Sequence, residues 1–509
     1  MNLGQRHSKP TSDNPILPLK NSDIWPPSRL SLTKRYTRVV VVVIGALGLL
    51  FFFYGREAGK IEIPSIRSGT VPPLYEKYHE YERHLPQHNL SLPFPEGRDA
   101  KFFWAANHVT GSGWGNAMQE LIVNAHLARV TKRAFVFDNF TWDQDGPDYS
   151  EYNGKLIPSR IPLSAMISGP IIGATSPPGD DVPRSVSREY FKKVCPNPTI
   201  IDSAVINEEL RTNSNVPASY IFDKWVEKLN SIDDPCVEIQ RGSYQLFEIW
   251  IFGSRRILSL WPTLSKSPML LQFSWSPLIL NAFTENEHLI SSKPSSSRFP
   301  YFTETYPTLP PPETHDLTPL LTPPHIDPIR GLLVLHIRRG DFQGHCQHLA
   351  NWSADWNGLN AFPSLPDKFD RPTDGGWGET SDENMQMYLK KCFPSIEQIV
   401  EKIQEVLADQ DRLYGKAREL KRIYIMTNGA MEWVNELRSA LMNIKKWESV
   451  VSSRELQLSW EAKYVAQTVD MLIGQRAQVF IGNGFSSLTS NIVMFRMLRE
   501  LPHDDTRFW

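Results

Sequence analysis

Two stretches of this chain gather residue types suited to gripping an anionic ligand. His336-Ile337-Arg338-Arg339-Gly340-Asp341-Phe342 follows the apolar run 331–335, so two guanidinium groups and a carboxylate stand where a buried strand opens into a loop. Open α/β sheets bind ligands beyond the carboxyl ends of their strands. The planar fork of arginine matches phosphate oxygens two bonds at a time. Arg339-Gly340-Asp341 also spells an adhesion tripeptide, but behind a Leu-Leu-Val-Leu strand internal chemistry is the stronger reading. The second stretch is Ile481-Gly482-Asn483-Gly484-Phe485-Ser486-Ser487-Leu488-Thr489, a strand end, a glycine turn and two hydroxyls ahead of an apolar helix. Free N–H groups at a helix start, joined by Ser486 and Ser487, make a seat for an anion. Serine as an ordinary helix cap is the competing explanation.

Periodicity supplies the elements that must position these groups. Apolar runs at 332–336, 422–426 and 479–481 read as strands. They alternate with helices within 382–409, after Asn428, over 460–474 and over 488–498, the pattern of a parallel sheet wrapped by helices. Upstream, 102–104 reads as a strand, 110–116 as a glycine-rich turn, 117–129 as a helix with Met118, Leu121, Ile122 and Ala125 on one face, and 134–137 as another strand. That turn could cradle a phosphate or let a sugar approach the backbone. Residues 291–328 are dense in proline and cannot continue helix or sheet, so they read as a linker or insertion between two halves. The expected organisation is a disordered tail (1–38), an apolar span (39–55), a stem (56–100), an amino-terminal Rossmann-like domain (101–290), the proline-rich segment and a carboxy-terminal Rossmann-like domain (329–509).

With 509 residues there is room for two or three domains, and a net charge of -2 with a pI near 6.7 leaves no basic footprint for bulk nucleic-acid binding. Any anion must be gripped locally. The uncharged run 39–55 is about seventeen residues, the short limit for a spanning helix. Its all-round apolarity opposes a core helix, and the absence of a small-residue cleavage site opposes a removed signal peptide. Lys34, Arg35 and Arg38 crowd its amino-terminal flank, which predicts a cytosolic tail and a lumenal body in the endoplasmic reticulum or Golgi. Sequons at Asn89, Asn139 and Asn351 are compatible with that compartment. So are four cysteines, for which sequence proximity pairs Cys195 with Cys236 and Cys346 with Cys392. No Cys/His spacing suits zinc, and His345-Cys346-Gln347-His348 is too compact for four ligands.

The motifs resemble those of the superfamily of fucosyltransferases that use GDP-fucose, which includes the protein O-fucosyltransferases and the α1,2 and α1,6 enzymes. His336-Ile337-Arg338-Arg339-Gly340-Asp341 matches the H-x-R-R-x-D type motif, nearest to the α1,2 and α1,6 forms. Phe480-Ile481-Gly482-Asn483 with Ser486, Ser487 and Thr489 is similar to the last O-fucosyltransferase motif, Asp470 falls where that family has an aspartate touching the nucleotide, and Gly113-Trp114-Gly115-Asn116 resembles the amino-terminal glycine turn. The likeness touches landmarks between 101 and 499, and 141–328 matches nothing identifiable. It implies an inverting, metal-independent GT-B enzyme with two Rossmann-like domains facing a cleft. The donor substrate would be GDP-fucose, no cofactor would be needed, and the acceptor would be a glycan or protein hydroxyl, protein O-linked by preference.

In that scheme Arg338 stabilises charge on the β-phosphate. Gly115, Asn116, His336, Arg339, Asp470, Phe485, Ser486 and Ser487 contact the substrates. The base that deprotonates the acceptor stays open: Ser112 occupies the place where some relatives carry a glutamate, Asp341 is a candidate with helix capping as its competing role, and Glu120 is weaker. Three other readings compete. Gly111, Gly113 and Asp138 partly mimic a dinucleotide fingerprint with its third glycine misplaced at Gly115. Asp143-Gln144-Asp145 spells a metal-binding D-x-D. A membrane-anchored sugar- or nucleotide-binding protein that kept the fold without turnover is the non-enzymatic alternative.

Overall fold

The structure, a computed structural model, describes residues 71–175, 180–211, 216–291, 327–372, 378 and 380–509. The expected tail, the apolar span and residues 56–70 of the stem lie outside the described residues, as does 292–326 of the proline-rich segment. Among the described residues no helix is long and apolar enough to cross a membrane.

Two five-stranded parallel sheets organise the described chain. The first is built from β1 (Phe102–Ala105), β2 (Ala134–Phe137), β3 (Val186–Ser187), β4 (Thr199–Ile201) and β5 (Cys236–Ile239), in the spatial order β3-β2-β1-β5-β4. Every residue of β1 and β2 is buried, as a sheet covered on both faces requires. Helix α1 (Trp114–Val130) links them and starts three residues earlier than the apolar pattern indicates. The second sheet contains β6 (Ile329–Ile337), β7 (Arg422–Thr427), β8 (Ser449–Ser452), β9 (Ala477–Gly482) and β10 (Thr506–Phe508), ordered β8-β7-β6-β9-β10. From β6 the chain first builds outward through β7 and β8, then returns to add β9 and β10 on the other side. The order therefore reverses at β6, with its carboxyl end beside that of β9 through the pair Leu335↔Ile481. Such a reversal leaves a crevice beyond the strand ends because the two connections leave to opposite faces.

Helices α2 (Phe342–Asn351), α3 (Asp382–Cys392), α4 (Ile396–Tyr414), α5 (Met431–Met442), α6 (Ala466–Gln475) and α7 (Ser487–Leu498) accompany this sheet. The single helix expected within 382–409 is two: Pro394 has no N–H to continue the first, and Ser395 opens the second with a reciprocal capping box to Gln398. Both expected disulfides are formed, Cys195–Cys236 and Cys346–Cys392. The second joins α2, which begins at the Arg338 loop, to the last residue of α3.

A buried polar seam brings α1 against α7. Gly115 touches the start of α7 so closely that a Cβ there would lie 2.6 Å from Ser487 Oγ and 2.7 Å from the Leu488 nitrogen. The Gly115 carbonyl accepts from Asn491 Nδ2 at 2.8 Å, and Gln119 Nε2 donates to Ser490 Oγ at 2.8 Å and to Asn357 Oδ1 at 3.0 Å.

Candidate functional site

Beyond β6 the chain turns at Gly340, whose φ of 65° lies in the left-handed region where a side chain would be strained. Asn428, just past β7, clamps the same turn from the neighbouring strand end: its Oδ1 accepts from the Arg339 N–H at 2.7 Å and its Nδ2 donates to the Arg339 carbonyl at 3.0 Å. The turn is thereby held, and the two arginines leave it in different directions.

Arg338 is the more exposed of the two. Its side chain is 32% exposed, rests on the Phe342 ring at 4.7 Å, and meets the half-exposed Asp341 carboxylate at a loose 3.7 Å. Its Nε is buried without a hydrogen-bond partner. A guanidinium with donors to spare at a strand end can neutralise an incoming anion. Arg339, expected beside it as a ligand contact, is instead packed into the protein. Its guanidinium lies between the rings of Phe393 at 4.4 Å and Trp433 at 4.1 Å, and it donates to the Arg338 and Pro394 carbonyls. Alternation of side chains at a strand end explains the split, since consecutive residues point to opposite faces. Asp341 stands at the start of α2 without capping it, so the capping role expected of it is not made and its carboxylate serves Arg338.

On the β9 side, Ser486 caps α7 by accepting from the Thr489 N–H at 3.5 Å. Ser487 is only partly buried and lies against Gly115. His336 binds the two motifs together: its Nδ1 is 2.7 Å from Thr489 Oγ1, and its carbonyl accepts from the Trp509 indole at 2.9 Å. Burial, reinforced by the nearby Arg338 charge, pushes the His336 imidazole down to about 3, so the ring is neutral and acts as a hydrogen-bonding strut. Phe485 corrects the expectation of a ring stacked on a nucleoside: it is 7% exposed and packs against Phe369 and Tyr388 in the core. Asn483 shapes the turn that carries it, accepting from the Phe485 N–H at 3.0 Å and donating to the Cys392 carbonyl at 2.6 Å.

Asp470 on α6 accepts from the Tyr424 hydroxyl of β7 at 2.6 Å. Burial raises its carboxyl to about 6, relieved by the Tyr424 and Ser453 hydroxyls. It lies by the β7 strand, where Tyr424 stands in register with Val334 of β6. Asn116 donates to Ser112 Oγ at 2.9 Å and remains partly exposed at the start of α1. Asn428, Gln119, Asn357 and Tyr424 went unnoticed in the sequence. Only Asn428 carried a signal, its place directly after a strand.

The rival D-x-D does not form a shared cation seat in its own loop: Asp143 Oδ1 accepts the Asp145 and Gly146 N–H groups, and Asp145 pairs with Arg241. No group of three or more metal-ligating side chains occurs among the described residues.

The stretch that holds Arg338, Asp470 and the serine pair is also the one that resembles a known family. Residues 317–499 match the family GDP-fucose protein O-fucosyltransferase. The match takes in the motifs from the β6 loop to the end of α7, and the amino-terminal glycine turn at 113–116 lies outside it. No curated protein matches the chain at a significant level. Among solved structures, POFUT1 in its apo form is 14% identical, covering 80% of this chain and 97% of that one with a TM-score of 0.39. POFUT1 in complex with GDP-fucose is 13% identical, covering 80% and 97%, with a TM-score of 0.40. A FUT1 mutant of Arabidopsis thaliana in complex with GDP is 10% identical, covering 83% and 75%, with a TM-score of 0.33.

Proposed function

We propose that the protein transfers fucose from GDP-fucose to an acceptor hydroxyl, O-linked to protein, with inversion and without a metal, in a GT-B arrangement of two Rossmann-like domains. The observation that carries this reading is Arg338: a guanidinium with a buried, unpartnered Nε at the reversal point of a parallel sheet, beside the serine-capped start of α7. The acceptor oxygen bonds to C1 of the sugar as the C1–O bond to the diphosphate breaks, and the electron pair leaves on the β-phosphate. Arg338 neutralises that growing charge, the task a metal performs elsewhere. Ser486, Ser487 and the free amides of α7 hold the remaining oxygens. Asp470 suits the N–H donors of guanine by its carboxylate chemistry. Asp341, partly exposed and loosely paired, is the candidate to receive the acceptor proton.

The same reading places the catalytic body in the lumen of the Golgi or endoplasmic reticulum, on a single-pass type II anchor formed by 39–55. Its support is the apolar run with its basic flank, together with two disulfides, which persist in oxidising compartments. Calorimetric titration with GDP and UDP, followed by GDP release from GDP-fucose, tests the activity. Preference for GDP by tenfold or more, with release that depends on the fucose donor, is expected. Equal binding of UDP, or none of either, refutes the reading. Tight GDP-fucose binding without turnover under any acceptor would make the protein a silent nucleotide-sugar binder.

A further inference from the structure

Three asparagines stand in sequons, and the folded chain treats them differently. Asn139 follows β2 and is 8% exposed, and the hydroxyl of Thr141, the third residue of its triplet, is buried and donates to the Asn139 carbonyl at 3.0 Å. A branched sugar cannot be seated on an amide that close-packed protein covers. Asn351 is the last residue of α2, and the two residues after it are committed elsewhere. Trp352 stacks on His348 at 5.8 Å and meets the Trp250 ring edge-on at 5.9 Å, and Ser353 takes a left-handed φ of 47°. That triplet belongs to a helix end rather than to an open loop.

Asn89 is the opposite case. It lies in an exposed loop after the helix Glu76–Arg83, and its Oδ1 accepts from the Ser91 N–H at 2.9 Å, which makes an Asx turn. The oxygen of the carboxamide is thereby engaged, and its Nδ2 has no hydrogen bond to any described residue. Asn89 and Ser91 are both exposed, so the nitrogen and the hydroxyl of the triplet are reached on one turn.

The loop is also held fast and displays apolar surface. Gly97, at φ 67°, backs onto it so closely that a Cβ there would overlap the Leu92 carbonyl oxygen and lie 3.1 Å from that of Leu90. Glu96 Oε2 accepts from Arg184 Nη2 at 2.7 Å and ties the loop to the body. On it Leu90 is 41% exposed and Phe94 67%, the highest value for a large hydrophobic side chain among the described residues. Apolar surface fixed in that way invites association unless something bulky and polar stands over it.

We propose that Asn89 carries an N-linked glycan that shields Leu90 and Phe94. The proposal rests on the lumenal reading above and adds a modified residue to it. In the transfer, Asn89 Nδ2 bonds to C1 of an oligosaccharide as the bond from that carbon to the diphosphate of a lipid carrier breaks. The electron pair leaves on the lipid diphosphate, and the amide nitrogen gives up one proton. The co-reactant is a lipid-diphosphate-linked oligosaccharide, supplied by the compartment and not by this chain.

The test expresses the full chain in a eukaryotic host. Protease added outside intact membrane vesicles reports where the body lies, and peptide N-glycosidase in heavy-oxygen water marks each asparagine that carried a glycan for mass spectrometry. The body should be protected, with the mark on Asn89 and none on Asn139 or Asn351. Asn89→Gln and Ser91→Ala break the triplet at different residues, and each should lose the mass of one glycan. Each should also bind more of an apolar-surface dye than the native protein, and adding Phe94→Ser to Asn89→Gln should return dye binding to the native level. An unmarked Asn89 in a protected body, a mark on Asn139 in the folded protein, or dye binding unchanged by loss of the glycan overturns the proposal. A body open to the protease overturns the lumenal reading, and the proposal falls with it.

Discussion

Replacing each of the two neighbouring arginines with alanine should produce opposite defects. The Arg338 side chain is one-third exposed, and its ion pair with Asp341 spans 3.7 Å in the open. Such a pair contributes about 0–1 kcal/mol, and the Phe342 stack about 0.5–1 kcal/mol, so Arg338→Ala should cost little stability. Under the proposed function its loss removes the group that would meet the diphosphate: charge-assisted hydrogen bonds are worth about 1.5–3 kcal/mol, or roughly ten- to a hundredfold in GDP affinity. Loss of a charge-stabilising donor during bond breaking costs about a hundred- to a thousandfold in turnover. Arg339→Ala strips a guanidinium from between two aromatic rings and orphans the carbonyls it serves. At about 0.5–2 kcal/mol per ring contact and about 1–3 kcal/mol per orphaned group, its cost is about 3 kcal/mol or more of folding stability. Urea unfolding gives the stabilities, calorimetry the GDP affinity, and GDP release from GDP-fucose the turnover. An Arg338→Ala protein with unaltered GDP affinity would refute the assignment, as would an Arg339→Ala protein of native stability that has lost GDP binding.

Three further outcomes are expected. Gly115→Ala puts a Cβ 2.6 Å from Ser487 Oγ and should cost about 1–3 kcal/mol in stability together with GDP affinity, seen by urea unfolding and calorimetry. Glu82, buried and pushed up to about 8 by desolvation against the relief of its Ser164 contacts, keeps its proton in the folded protein where the unfolded chain has released it. Stability therefore falls as pH rises from about 4.5 through about 8, and Glu82→Gln should recover up to about 4–5 kcal/mol above pH 8 while changing little below pH 4, measured by unfolding at both ends. Replacing both Cys346 and Cys392 by alanine opens a loop with a sequence separation of 46, which in the chain-entropy account costs about 4 kcal/mol and should lower the unfolding midpoint measurably.

The second sheet was legible because its three inner strands are near-continuous apolar runs, and only burial on both faces tolerates such runs. β10 escaped notice: three residues, Thr506–Phe508, with an arginine in the middle, carry no periodicity, and Arg507 is accommodated by Asp367, Glu405 and Asp409 from remote segments. β3 to β5 were missed for the same reason, being two to four residues long. At the site, residue type and strand-end position were enough to single out Arg338, His336 and the serines. They could not tell Arg338 from Arg339, because the difference lies in Phe393 and Trp433, which come from elements far along the chain. Phe485 misled similarly, since whether a turn aromatic faces ligand or core depends on Phe369 and Tyr388.

The seam between α1 and α7 constrains how any ligand enters. Swinging the two sheets apart as jaws would pull Gln119 from Ser490 and Asn357, and Asn491 from the Gly115 carbonyl. Three bonds at about 0.5–1.5 kcal/mol each, once water replaces the partners, make such an opened form scarcer than about one molecule in ten. A ligand that reaches the crevice with the seam intact would enter by movement of the loops at its rim, the two sheets keeping their mutual grip.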